Sequence, residues 1–147
     1  TKNEFVVFHK SRNSIIGKRV GDVLNVNHNL DSLEIVKTNT MISYKIGENV
    51  HQTFKRELPN IFEFKNQSIL IVDSLGIYKV DNLKTPIVIL QNSPKINLER
   101  LILTLHPKQI IADGSNYKSY VKRWEETCKK RKTPFYSTGR NGAYILK

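Results

Sequence analysis

The 147-residue chain has one cysteine, Cys128, so no intrachain disulfide can form. That fits a reducing compartment and equally a periplasmic domain that does without disulfides. No apolar run approaches the roughly 18–20 residues of a membrane span. No signal-peptide pattern opens the chain, and Thr1 is not an initiator methionine, so a processed or excised piece of a longer protein is expected. Linkers, repeats and low-complexity stretches are missing too, which predicts a single soluble domain over residues 1–147. His9, His28, His51 and His106 each stand alone, with no second His or Cys two to four positions away. Without such spacing there is no sign of a bound metal, and no cofactor or small-molecule substrate is expected. Acidic residues are the last shortage: 13 Asp and Glu against 24 Lys and Arg leave a formal charge of +11.

What is present is a full complement of apolar residues, 39% of the chain and spread throughout, enough for a packed core. The positive excess favours an anionic partner, either nucleic acid or an anionic membrane surface. Its alternative source is a Lys- and Asn-rich composition with no functional meaning. The distribution is uneven. Residues 115–147 hold nine basic and two acidic groups, a net of +7, whereas the preceding 114 residues carry +4.

Strands are expected at Phe5–Phe8, Ser14–Ile16 and Val23–Val26, with Gly17 and Gly21 breaking the pattern between the last two. Asp31–Tyr44 is predicted as a helix weakened by Thr38, Asn39 and Thr40. Ile61–Phe64 and Ile69–Val72 read as a hairpin around Lys65–Ser68, followed by loop over 74–85. Ile87–Leu90 and Gln109–Ala112 are continuous apolar runs, the mark of strands buried on both faces. Between them Asn97 can cap a helix whose Leu98, Leu101, Ile102 and Leu105 recur at helical spacing, with Pro107 closing it. A longer helix follows, with Tyr117, Tyr120, Val121, Trp124 and Cys128 on one stripe. Phe135–Thr138 and Ala143–Leu146 suggest a closing hairpin, because Asn141-Gly142 suits a turn with positive φ. The order predicts an α/β fold with a βαβαβ-type C-terminal half and a separate antiparallel run at the N-terminus.

The stretch from Pro86 to Leu146 contains "HPKQIIADGSN" at 106–116 and "FYSTGRNGAYIL" at 135–146. With its order of elements, it resembles the C-terminal domain of ComEC-type competence proteins in the form found in Bacteroidetes-like bacteria. The opening "FVVFHKSRNSIIGKRVGDVLNVN", residues 5–27, resembles the first strands of that domain more faintly. The resemblance implies a metallo-β-lactamase-like fold attached to an inner-membrane protein that admits single-stranded DNA. It also implies, for many members, a nuclease-like paired-metal site with a His-x-His-x-Asp-His motif. This chain departs from that motif, and a His-His-Gly-Ser-like stretch is replaced by Gln91-Asn92-Ser93-Pro94. The site is therefore expected to be degenerate, with no metal ligands and no catalytic residues.

Three groups of residues remain as candidates. Gly114, Ser115 and Asn116 follow a buried strand and open a helix, so their backbone N–H groups and the Ser115 hydroxyl can meet a phosphate. The alternative is that Ser115 caps the helix and Gly114 supplies the turn. Asp73 and Asp113 both end apolar strands and offer the one carboxylate pair on which a Mg²⁺-dependent nuclease can be built. The largest group is basic: Lys118, Lys122, Lys129, Lys130 and Arg131, joined by Arg140, would form a phosphate-tracking surface if they share a face. Tyr136, Tyr144 or Phe135 can stack on bases where exposed. Trp124 and Cys128 are expected in the core, the thiol inert for want of a His partner.

The leading expectation is a non-catalytic accessory domain of a DNA-uptake channel, partnered by DNA and by the transmembrane part of the same parent chain. A nuclease using Asp73 and Asp113 is the enzymatic alternative. A protein- or lipid-docking module without DNA binding is the third.

Overall fold

The computed structural model describes residues 3–29, 52–55 and 60–147; for 52–55 only the backbone is considered. The helix expected over Asp31–Tyr44 lies outside the described residues, as does His51. The elements are β1 (Asn3–Val7), β2 (Ile15–Val20), β3 (Val23–His28), β4 (Gln52–Lys55), β5 (Ile61–Phe64), β6 (Gln67–Val72), β7 (Ile87–Leu90), α1 (Leu98–Leu105), β8 (Gln109–Ala112), α2 (Lys118–Lys130), β9 (Phe135–Ser137), α3 (Thr138–Asn141) and β10 (Tyr144–Leu146).

Two five-stranded sheets result, ordered β10-β1-β2-β3-β4 and β5-β6-β7-β8-β9. In the second, β5 and β6 form the expected hairpin, turning through Lys65 and Asn66 at φ 49° and 65°. Positive φ at both positions gives the turn the twist that antiparallel strands need. From β6 to β9 every pairing is parallel, with α1 and α2 as crossovers. Alternate residues serve opposite faces. Leu70, Val72, Val88, Leu90, Ile110 and Ala112 pack against the helices, meeting Leu101, Leu105, Trp124 and Cys128. Their neighbours Ile69, Ile71, Ile87, Ile89 and Ile111 pack instead against Phe5, Val7 and Ile16 of the first sheet. Ile111 thus belongs between the sheets and not with Trp124.

The first sheet is antiparallel from β10 to β3, while β4 joins parallel to β3. Far from standing apart, it shares a core with the second sheet. Gly17 does not interrupt β2. The strand runs through it, and a Cβ there would already press on Phe8 and Leu24 at 3.0 Å.

The closing hairpin is overturned. Phe135–Ser137 pairs with β8 at the edge of the second sheet, and Tyr144–Leu146 pairs with β1 at the edge of the first. Between them the chain makes the helical turn α3 and leaves it through Gly142 at φ 80°, ψ −165°, which is not a hairpin-turn conformation. Two open sheet edges compete with the local turn. Pairing with each one satisfies backbone donors and covers apolar side chains on both sheets, which a lone hairpin cannot do.

α1 begins as expected: the Asn97 side chain accepts from the Arg100 N–H at 3.0 Å, and His106, at φ 48°, ends the helix before Pro107. α2 departs in one respect. Tyr117 is its N-cap, with extended φ/ψ of −60° and 138°. Being off the helical spiral, its ring leaves the buried stripe and is 66% exposed.

Candidate nucleic-acid interface

The C-terminal ends of β8 and β9 open on a cleft of about 800 Å³. Its walls come from four stretches: the β1–β2 turn with His9 and Arg12, the β8–α2 turn with Asp113 and Gly114, the first half of α2, and the start of α3. Open α/β sheets collect ligands at such strand ends. The two sheets are stitched together here. Arg12 N–H donates to the Gly114 carbonyl at 2.6 Å, with Arg12 at φ 68°. A Cβ on Gly114 would collide with the Lys10 carbonyl group, so only glycine permits this approach.

Beyond Gly114 the turn interlocks with the β7–α1 connection. Ser115 Oγ donates to Asp113 Oδ1 and accepts from the Asn92 N–H at 2.9 Å. Ser115 N–H also donates to Asp113 Oδ1 at 3.0 Å. Asn116 Nδ2 donates to the Leu90 carbonyl at 2.7 Å, while its Oδ1 accepts from the Ser93 N–H at 2.8 Å. Ser93 Oγ in turn accepts from the Tyr117 N–H at 2.8 Å. Of the expected phosphate donors, the Ser115 hydroxyl and N–H are engaged by Asp113 Oδ1, and the Asn116 N–H by the Asp113 carbonyl at 3.4 Å. Ser115 does not cap α2, which starts two residues after Asn116.

Asp113 sits beneath this turn, 2% exposed. Burial pushes its carboxyl up to about 7, against the opposing pull of the two Ser115 hydrogen bonds. Its Oδ2 is buried with no hydrogen-bond partner among the described residues. Asp73, the other expected carboxylate, accepts from the Leu75 N–H at 3.0 Å in a turn. Val72, Leu90 and Ala112 stand in register, so β7 separates the two aspartates by two strand spacings, roughly 10 Å.

The described residues do not fit the paired-metal site that the resemblance implied. Among them no three His, Cys, Asp or Glu side chains converge. His9 Nδ1 hydrogen-bonds to Thr138 Oγ1 at 2.9 Å, and burial lowers its pKa.

The basic residues divide into two sets. Lys118, Lys122 and Arg140 line the cleft. Lys129, Lys130 and Arg131 lie at the other end of α2; at 1.5 Å per residue, Lys118 and Lys129 are roughly 16 Å apart along the axis. Lys118, Lys122 and Lys129 do share a helix face, being four and seven positions apart. The arginines are not free: Arg131 pairs with Glu99, and Arg140 makes a forked pair with Glu125. Lys118, Lys122, Lys129 and Lys130 form no ion pair among the described residues.

The aromatic candidates are used within the fold. Phe135 packs under the helices. Tyr136 and Tyr144 meet edge to face at 5.1 Å between the sheets. The Tyr136 hydroxyl is shared among the Asn141, Gly142 and Ala143 carbonyls, and Tyr144 donates to Gln109 Oε1 at 3.0 Å. Trp124 is buried as expected, and burial pushes the Cys128 thiol up to about 12, which disfavours the thiolate form. Two cleft residues escaped sequence reasoning, Arg12 and Tyr117. Arg12 sits in a turn whose partner is a hundred residues away. Tyr117 passes for a stripe residue until the helix start is known.

A model of the ComEC C-terminal domain family matches residues 5–147. No curated protein matches the chain.

Proposed function

The chain belongs to the ComEC C-terminal domain family, which ties it to competence DNA uptake, and from that premise we propose that it is a non-catalytic accessory domain contacting DNA. Residues 1–147 act as one metallo-β-lactamase-like domain of an inner-membrane DNA-uptake protein, working beside the transmembrane part of the same parent. Two mixed sheets packed face to face, with helices on the second, support that frame. Among the described residues no helix is long and apolar enough to cross a membrane. The absence of converging metal ligands among the described residues supports a non-catalytic role.

The observation that carries DNA contact is the face of α2. Lys118, Lys122 and Lys129 line one side and Lys130 follows, all four without an ion-pair partner among the described residues. Arg131 and Arg140 contribute less, since each already neutralises a glutamate. Such a face tracks phosphates without reading sequence.

Anisotropy with a labelled single-stranded oligonucleotide tests this. Log affinity falls with log salt by about 0.7 per phosphate neutralised, so four contacts cost roughly fiftyfold between about 50 and 200 mM salt. Lys122→Glu with Lys129→Glu is expected to weaken binding and flatten the slope while leaving the melting temperature nearly unchanged. Binding absent at low salt, or indifferent to the double substitution, refutes the reading.

A further inference from the structure

The floor and rim of the cleft differ in chemistry. The rim is cationic: Arg12, Lys118 and Lys122 line it and form no ion pair among the described residues. Arg140 is held by Glu125. The first turn of α2 has no acidic residue, and its N-cap Tyr117 supplies no side-chain acceptor to the N–H groups there. The positive end of the helix therefore adds to the rim. The floor contains Asp113, 2% exposed, whose Oδ2 has no partner among the described residues. A buried oxygen left unpaired costs free energy that a ligand's donor would recover. Above about pH 7, where the Asp113 carboxyl is ionised, a simple anion cannot supply that donor and is repelled by the charge on the floor. The ligand must be bifunctional, with a negative group for the rim and an N–H or O–H for the floor. Tyr117 adds a third element. Its ring is 66% exposed at the lip, braced edge to face on Tyr120 at 5.4 Å and 80°.

We propose that the cleft is a nucleotide site. It takes one nucleotide unit of a single strand, with phosphate against Arg12, Lys118 and Lys122, the base on Tyr117, and a base or sugar donor on Asp113 Oδ2. A volume of about 800 Å³ accommodates such a unit. The inference rests on the DNA-contact reading and deepens it, because the lysines of α2 then serve two purposes. Lys129 and Lys130 track the backbone, while the cleft end holds one nucleotide in place.

Titration of ¹⁵N-labelled protein with thymidine 5′-monophosphate, inorganic phosphate and thymidine, followed by amide shifts, separates the possibilities. The nucleotide is expected to give saturable shifts at Gly114 and Lys118. Inorganic phosphate, which lacks the floor and stacking contacts, binds at least roughly tenfold more weakly. Arg12→Asn removes the charge yet suits the left-handed φ of 68°, and it is expected to weaken nucleotide binding without lowering the melting temperature. Lys129→Gln leaves nucleotide binding intact. Phosphate binding as well as the nucleotide, or shifts at Lys129 and Lys130 in place of the cleft, overturns the inference. Oligonucleotide binding without any nucleotide response sinks the cleft site alone. Failure of both ligands removes the DNA reading as well.

Discussion

The two sheets were assembled by different rules. In the second, each strand from β5 to β9 pairs with the next one along the chain, so local pattern and final topology agree. The first takes its edge strand from the other end of the chain: Tyr144–Leu146 lies on Val7–Phe5. The second sheet is built from sequence neighbours alone, whereas the first also takes an edge strand from far along the chain, and the two share one core. The cleft stands where the two meet, at the Arg12–Gly114 bond. The residues that line the cleft thus depend on the contact that sequence proximity does least to secure.

The largest effect is expected in the second sheet. Trp124 is fully buried on the inner face of α2 among Leu and Val side chains. Trp124→Ala is expected to cost roughly 3–5 kcal/mol in denaturant unfolding. A loss below about 1 kcal/mol would mean that the helix layer does not carry the frame.

Asp113 gives the next effect, with opposite sign. Its carboxyl is raised to about 7 in the folded state, so the native protein holds a proton that the unfolded chain has released. The folded state then loses stability as pH rises from about 4 to about 7, and the loss levels off above that. A three-unit rise sets an upper bound of about 4 kcal/mol. Asp113→Asn is expected to stabilise at pH 8 and to flatten the difference between pH 5 and pH 8. Unchanged pH dependence would show that the carboxyl is better solvated than its burial indicates.

Gly114→Ala sharpens the comparison most directly, because it strikes the joint between the sheets. Relieving the clash with Lys10 costs roughly 1–3 kcal/mol of stability. Amide exchange is expected to quicken in β1 and β2 more than in β7 and β8. Equal quickening in both sheets would make the joint part of one cooperative core.

Much of the second sheet was legible in advance because its signals are local. The apolar runs at Ile87–Leu90 and Gln109–Ala112, the Asn97 cap and the helical spacing of Leu98, Leu101, Ile102 and Leu105 each report on a few consecutive residues. The candidate site was legible only in part. The lysines of α2 were found by spacing, but the pairing of Arg131 with Glu99 and of Arg140 with Glu125 joins residues with no sequence relation. Asn141-Gly142 misled for the same reason. A turn signal states that the chain reverses, not which sheet edge receives the strand that follows.

By itself the sequence determined the α/β class, the β-α-β-α-β order of its second half, the basic excess near the C-terminus and the absence of closely spaced metal ligands. These follow from composition and from side-chain periods of 2 and 3.6, which chain geometry imposes on neighbours. Only the tertiary structure decided that Phe135–Ser137 and Tyr144–Leu146 belong to different sheets. It alone brought Arg12, Tyr117 and Lys122 to one cleft and buried Asp113 at its floor. Those outcomes turn on which distant surfaces gain most from covering one another, a quantity that no window of adjacent residues contains.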